Sequence, residues 1–211
     1  MAGGCSVSHV ASNWMTFNTH PNLEIELREA EMLIKASEWT SKPKISSILI
    51  KRITKLLKPF LKKGHPRAMW LKAQLPNLGE SKLLTEKQFD QRWFALIQES
   101  AENGCAEAQY QYGCHLYDLN QIKEALELYH LSAVQDYAPS QWCYGLDTLS
   151  GAGTEKNEAI ALQYISLAAE QCYPYALDFM LRAHQEQRYG LTNDISTIAR
   201  YQRQLTRLDY L

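Results

Sequence analysis

Apolar residues return three and four positions apart along most of this chain, which is the spacing of one face of an α-helix. Ile45, Ile48, Leu49, Ile53, Leu56, Leu57, Phe60 and Leu61 follow it, with lysines filling the opposite side. Leu23 to Trp39 carries Ile25, Leu27, Ala30, Leu33, Ile34 and Ala36 in the same rhythm, and Ser196 to Tyr210 carries Ile198, Tyr201, Leu205 and Leu208. Gly, Pro and Asn stand in the breaks, where helices are expected to end. The pattern therefore predicts an all-α protein, with Pro59 kinking or dividing its helix near the end because the ring removes a hydrogen bond and crowds the preceding turn.

The helical segments are also self-similar. Gly64-His65-Pro66-Arg67-Ala68, Gly104-Cys105-Ala106-Glu107-Ala108, Asp136-Tyr137-Ala138-Pro139-Ser140 and Cys172-Tyr173-Pro174-Tyr175-Ala176 align. The starts of these blocks are separated by 40, 32 and 36 residues, enough for two short helices and two turns. Each block opens a helix with Pro or a small residue in the first turn, where a missing N–H costs least. Five residues after Ala68, Ala108, Ser140 and Ala176 stand Ala73, Gly113, Gly145 and Leu181. Three of these four are small, which predicts close crossings between each first helix and its partner. The second helices end alike, in Ser100-Ala101, Ser132-Ala133 and Ala168-Ala169, with Trp93 and Ile97, Ala125 and Tyr129, and Ala161 and Ile165 on the same face upstream.

The segment Ala106 to Gly113, with Ala125, Tyr129 and Ala133 behind it, resembles the Sel1-like repeat, a relative of the tetratricopeptide repeat. The next unit is similar to the same family through Gly145, the glycine-x-glycine loop Gly151-Ala152-Gly153, and then Ala161 and Ala168-Ala169. The resemblance covers Ala106 to Gln171 well, and the flanking units around Ala68 and Ala176 more weakly. It implies a right-handed α-α superhelix, here of about four to five helix pairs. Residues 1–20 form a loose arm in this reading, 21–63 a leading pair with a basic second helix, and 64–211 the repeat array with a terminal capping helix. Terminal repeats are expected to depart from the consensus, because one of their faces meets water.

Function follows from the same register. Family resemblance implies a protein-binding module, an adaptor, regulator or inhibitor, with bacterial antidote proteins as one such role, and a ligand face lined by the first helix of each pair. Counting from Pro66, Ala106, Ala138 and Pro174, the fifth places are Trp70, Tyr110, Trp142 and Asp178. The second, ninth and twelfth places add Arg67, Glu107, Tyr117, Tyr175 and Arg182. Trp, Tyr and Arg dominate interface hot spots. The competing reading packs the same aromatics between repeats, and for Tyr110 packing is favoured.

Charge adds a second surface. Lys and Arg total 22 against 23 Asp and Glu, yet every charged residue between Glu38 and Glu80 is basic, and Glu99 to Glu170 is mostly acidic. Lys51, Arg52, Lys55, Lys58, Lys62 and Lys63 form a basic patch expected to steer an oppositely charged partner. Taken alone, residues 45–63 also match a membrane-surface helix, so a membrane-associated scaffold is the alternative function. Alignment with the second helix of the next unit favours core packing instead. Aromatic and basic residues do not interleave as a nucleic-acid groove requires, so nucleic acid is not an expected partner.

Chemistry is sparse. No GxxxxGK[ST], GxSxG, HExxH or GxGxxG string occurs, which argues against the common phosphate, nucleophile and zinc motifs. Cys105, Cys114, His115 and His130 fit no zinc spacing, and His115, Glu107 and Cys114 are the sole candidates for a hydrolase alternative. Glu124 and Glu127, on adjacent turns, read as a solvated face. No metal, cofactor or small-molecule substrate is expected. The five cysteines are odd in number with no CxxC pair, which favours reduced thiols. Met1 to Val10 lacks the basic and apolar regions of a secretory signal, and Ala2-Gly3-Gly4-Cys5 lacks the apolar stretch a lipoprotein site needs, so a cytoplasmic location is expected.

Overall fold

The computed structural model describes residues 25–38, 43–75 and 85–208. Among them are ten helices and no strand. In chain order they are α1 (Ile25–Glu38), α2 (Pro43–Lys62), α3 (Pro66–Ala73), α4 (Glu86–Glu102), α5 (Ala106–Asp118), α6 (Ile122–Ala133), α7 (Ala138–Ser150), α8 (Glu158–Glu170), α9 (Pro174–Gln185) and α10 (Ile195–Leu208). The arm assigned to residues 1–20 lies outside the described residues. The helices form five consecutive pairs, and the first helices α3, α5, α7 and α9 start where the aligned blocks place them. Pro59 does not divide α2, which runs through it to Lys62. Its ring removes one hydrogen bond, to the Lys55 carbonyl, on the exposed side of the helix, where water can take that carbonyl over.

The backbone reason for the repeated blocks is a shared helix stop. Gly64, Gly104, Asp136 and Cys172, the first residue of each block, all adopt positive φ, between 61° and 89°. In each case the next residue's N–H reaches back five positions, as in Cys105 to the Ser100 carbonyl (3.1 Å) and Tyr173 to the Ala168 carbonyl (3.0 Å). This is the Schellman closure, which satisfies carbonyls the helix end leaves open. Two of the four, Asp136 and Cys172, are not glycine and hold a side chain in this left-handed conformation.

The chain divides into two compact units, with the division between Tyr112 and Gly113, inside α5. In the first, α1 packs on α2 and α3, and α3 on α4. Its core gathers Leu27, Ala30 and Ile34 from α1, Ile53, Leu57 and Phe60 from α2, Ala68, Trp70 and Leu71 from α3, and Ile97, Ala101 and Ala108. The apolar stripe of α2 from Leu49 to Leu61 is thus spent on the core, as the alignment with α4 implied, whereas Ile45 and Ile48, 43% and 67% exposed, do not join it. The N-terminus of α4 is held by a reciprocal cap in which Thr85 and Gln88 each bond the other's backbone N–H.

In the second unit successive helices from α6 to α10 pack on one another. Its tightest points are glycines. A Cβ on Gly113 would lie 2.8 Å from the Tyr129 ring, and one on Gly145 would lie 2.7 Å from Ile165 and 3.0 Å from the Ala161 carbonyl oxygen. These are the crossings the small residues predicted, against the residues the register aligned. Ala125, Tyr129, Ala161, Ile165, Ala168 and Ala169 are fully buried. Ser140 takes the place of an alanine and is equally buried, and its hydroxyl donates to Ser132 Oγ at 2.7 Å, so the exchange leaves no polar group unpaired. Gly153 has φ 74° and approaches Ile122 so closely that a Cβ would stand 3.2 Å from its carbonyl oxygen.

Candidate functional site

The predicted residues fall into two groups according to how they are buried. Arg67, Trp70, Glu107 and Tyr110 are all buried in the first unit, at 4–9% exposure. Arg67 opens α3 and sits between two carboxylates: it bonds Glu31 Oε2 of α1 at 3.2 Å and Glu107 of α5. Its guanidinium also lies over the Trp70 ring, 4.5 Å from the centroid. Glu31, itself only 4% exposed, is further paired with Lys35 at 3.3 Å. Cys105 Sγ donates to Glu107 Oε2 at 3.2 Å, and burial pushes the thiol pKa up against the pull of Arg67, so it remains protonated. Trp70 Nε1 donates to Gln111 Oε1 at 3.0 Å, and Gln74 Nε2 reaches the same oxygen at 3.3 Å. This is a neutral, interlocked polar network tying α1, α3 and α5. Trp70 and Tyr110 are buried as the packing alternative has them, Arg67 and Glu107, expected on the partner face, are buried beside them, and Glu31, which completes the network, was not singled out by the sequence.

The second group is open to water. Trp142 of α7 is half-buried and stacks on Tyr175 of α9, with centroids 6.4 Å apart and planes at 21°. Phe179 meets the same indole edge-on at 5.8 Å, and Tyr189 stacks on Phe179 at 5.8 Å. Tyr173, buried beneath, lies 6.4 Å from Trp142 and 5.6 Å from Tyr175. Tyr175 remains 47% exposed. At the margin, Arg182 and Asp178 form an exposed pair one turn apart, with bonds of 3.1 Å, and Arg188 covers Tyr189 at 4.9 Å. The register thus brings Trp142, Tyr175, Asp178 and Arg182 onto one surface. Phe179 and Tyr189 were missed: Phe179 takes the sixth place of its helix and Tyr189 follows the helix.

Tyr117 is engaged with a neighbour in the second unit. It bonds Asp147, whose carboxyl is pushed up to about 6 by burial while the Tyr117 bond lowers it. A folded-state pKa above the ordinary carboxylate value means that the fold prefers the protonated side chain. That contribution is full below an ordinary pKa of 3.8 and is lost as pH rises through about 6. Asp147→Asn is therefore expected to raise the melting temperature at about pH 8 and to leave it unchanged at about pH 3, a contrast two thermal scans measure.

Among the described residues, two of the hydrolase candidates, Glu107 and Cys114, are engaged separately. Glu107 is held by Arg67 and Cys105, whereas Cys114 receives the Tyr129 hydroxyl at 3.5 Å, two helical turns further along α5. His130 lies against Tyr144 in a tilted pair (4.7 Å) and meets Tyr164 edge-on at 6.1 Å. Among the described residues no three His, Cys, Asp or Glu side chains are grouped to hold a metal ion, and no helix is long and apolar enough to cross a membrane. Lys51, Arg52, Lys55, Lys58, Lys62 and Lys63 are all exposed, and Arg52 is tied to Glu29 at 2.9 Å.

No family model matches the chain, and no curated protein does. Solved structures do. The Sel1 repeat protein from Oxalobacter formigenes superposes with a TM-score of 0.61 at 22% identity, covering 88% of this chain and 69% of that one. A protective antigen present in uropathogenic Escherichia coli strains, displaying an SLR fold, gives 0.57 at 16% identity, over 86% of this chain and 37% of the antigen. The fold is that of a Sel1-like-repeat α-solenoid.

Proposed function

We propose that this chain is a protein-binding solenoid whose partner docks on the aromatic surface of α7 and α9, and that it performs no catalysis. The observation that carries the reading is the stack of Trp142, Tyr175, Phe179 and Tyr189, ordered ring against ring yet left open to water at Tyr175. Rings already fixed by one another lose little entropy when a partner covers them. Such clusters supply most of the energy of an interface, with polar pairs such as Asp178 and Arg182 at its rim. Arg67, Trp70, Glu107 and Tyr110 serve as the frame. A cytoplasmic bacterial adaptor, regulator or inhibitor, including an antidote to a toxin, is the setting this reading fits.

The test compares wild-type protein with Tyr175→Ser and with the outer-face control Gln163→Ala, each immobilised in lysate of the native host. A partner retained by the wild type and the control should be lost from Tyr175→Ser, with affinity falling by about 2 kcal/mol, or about 30-fold. The melting temperature of Tyr175→Ser should fall only slightly, because Tyr175 is about half exposed and gives up no more than its ring contacts with Trp142 and Tyr173. Equal retention by Tyr175→Ser would overturn the proposal.

A further inference from the structure

The core position of α2 dictates what its other side displays. With Ile53, Leu57 and Phe60 turned inward, Lys51, Lys55, Lys58 and Lys62 stand in line on the opposite side, all exposed. Ile48, 67% exposed, continues the line one turn earlier. None of these lysines has a carboxylate partner among the described residues. In the other unit, α6 buries Ala125, Leu126 and Tyr129 and displays Glu124, Glu127 and Leu131 along one stripe, which Val134 at its C-cap continues. Leu131 and Val134 are 50% and 57% exposed, and the two glutamates have no cationic partner among the described residues.

The two stripes complement each other in reverse. Along α2, Ile48, Lys51, Lys55 and Lys58 are separated by 3, 4 and 3 residues, and back along α6, Val134, Leu131, Glu127 and Glu124 are separated by 3, 4 and 3. We propose that α6 of a second copy of this chain lies antiparallel on α2, setting Val134 on Ile48, Glu127 on Lys55 and Glu124 on Lys58. The methylenes of Lys51 then cover Leu131, as long basic side chains do over apolar neighbours. The cation nearest the acidic stripe, Lys123, falls opposite Pro59 in this register. The contact is heterologous: each copy offers α2 to one neighbour and α6 to another. A polyanion or an anionic membrane would satisfy the lysines but would leave the match of Ile48 with Val134 without a purpose. Two helix faces bury less than a standard interface, so the association is weak and salt-sensitive.

Sedimentation velocity on the full chain tests it. At about 20 mM salt the mass should rise above 24.2 kDa with concentration, and return to it at about 0.5 M salt, where the charges are screened. Two charge-reversed variants make the assignment specific. Lys55→Glu/Lys58→Glu sets acid against acid, and Glu124→Lys/Glu127→Lys sets base against base, so each alone should remain monomeric. Their equimolar mixture should associate, because each now carries the complement the other needs. All four positions are exposed, and unchanged helicity by circular dichroism confirms that both variants are folded. A wild-type mass fixed at 24.2 kDa up to about 0.5 mM at low salt, single variants that associate like the wild type, or a mixture that stays monomeric would each overturn the proposal.

Discussion

Replacing Arg67 with Met should destabilise the fold by about 3–5 kcal/mol, because the substitution leaves the buried Glu107 carboxylate without its counter-charge and leaves buried Glu31 with Lys35 alone. Glu31 and Glu107 are 4% and 6% exposed, so water cannot take over from the guanidinium. The cation over the Trp70 ring is lost as well. The loss is one of uncompensated charge rather than of packing, since Met matches much of the arginine's volume. The triple variant Arg67→Met/Glu31→Gln/Glu107→Gln should therefore recover most of the stability, as neutralised buried ion pairs commonly do. The exposed pair supplies the contrast: Arg182→Met breaks bonds of similar length to Asp178, yet with side chains 68% and 47% exposed it should change stability by less than about 1 kcal/mol. Urea unfolding followed by circular dichroism measures all three. A single Arg67→Met variant as stable as the wild type would show that the carboxylates reach solvent.

How much of this was legible in advance depends on the range of the interactions. The helix starts at Pro66, Ala106, Ala138 and Pro174, and the crossings at Gly113 and Gly145, are set by contacts within one pair. Such contacts recur at the repeat period and so leave a mark on the sequence. The buried network has no such period: Glu31 is 36 residues from Arg67, in a leading pair that the repeat consensus does not reach. A trace was nonetheless present. Arg67 and Glu107 occupy the same second place in successive first helices with opposite charge, which is what two side chains packed against each other along a stack would show. Read as a surface, those two were placed on the right helices, but the sequence alone carries no measure of their burial. The open aromatic surface was legible where it follows the register, at Trp142 and Tyr175. It was hidden at Tyr189, because the turn after α9 belongs to no repeat position. At Pro59 the sequence left two outcomes open, a kink or a division, and the helix is not divided.

Gly145→Leu should cost about 3 kcal/mol or more, and Gly113→Leu about 2–3 kcal/mol, both larger than ordinary surface substitutions and both for want of space. Each glycine lies inside a helix, where a side chain with better helix propensity would gain about 1 kcal/mol if there were room. Room is what each site lacks, and the two differ in what stands in the way. At Gly145 the first added carbon meets Ile165 Cγ1 at 2.7 Å and backbone on two sides, the Ala161 carbonyl oxygen at 3.0 Å and the Ile165 nitrogen at 3.3 Å. Backbone cannot yield unless α8 moves away from α7 as a body. At Gly113 the nearest atoms belong to the Tyr129 ring, at 2.8 and 2.9 Å, and the Ala125 carbonyl oxygen is further off at 3.3 Å. The ring has more freedom than a main chain, but it is fully buried and its hydroxyl bonds Cys114, so its retreat is short and has its own cost. The order therefore holds for smaller steps too. Gly145→Ala should lower the melting temperature clearly, while Gly113→Ala should lower it less, the helix-propensity gain offsetting part of the strain. Thermal scans of the four variants against wild type give the ranking, and equal, small shifts at both positions would mean that α5 and α7 do not cross their partners at these glycines.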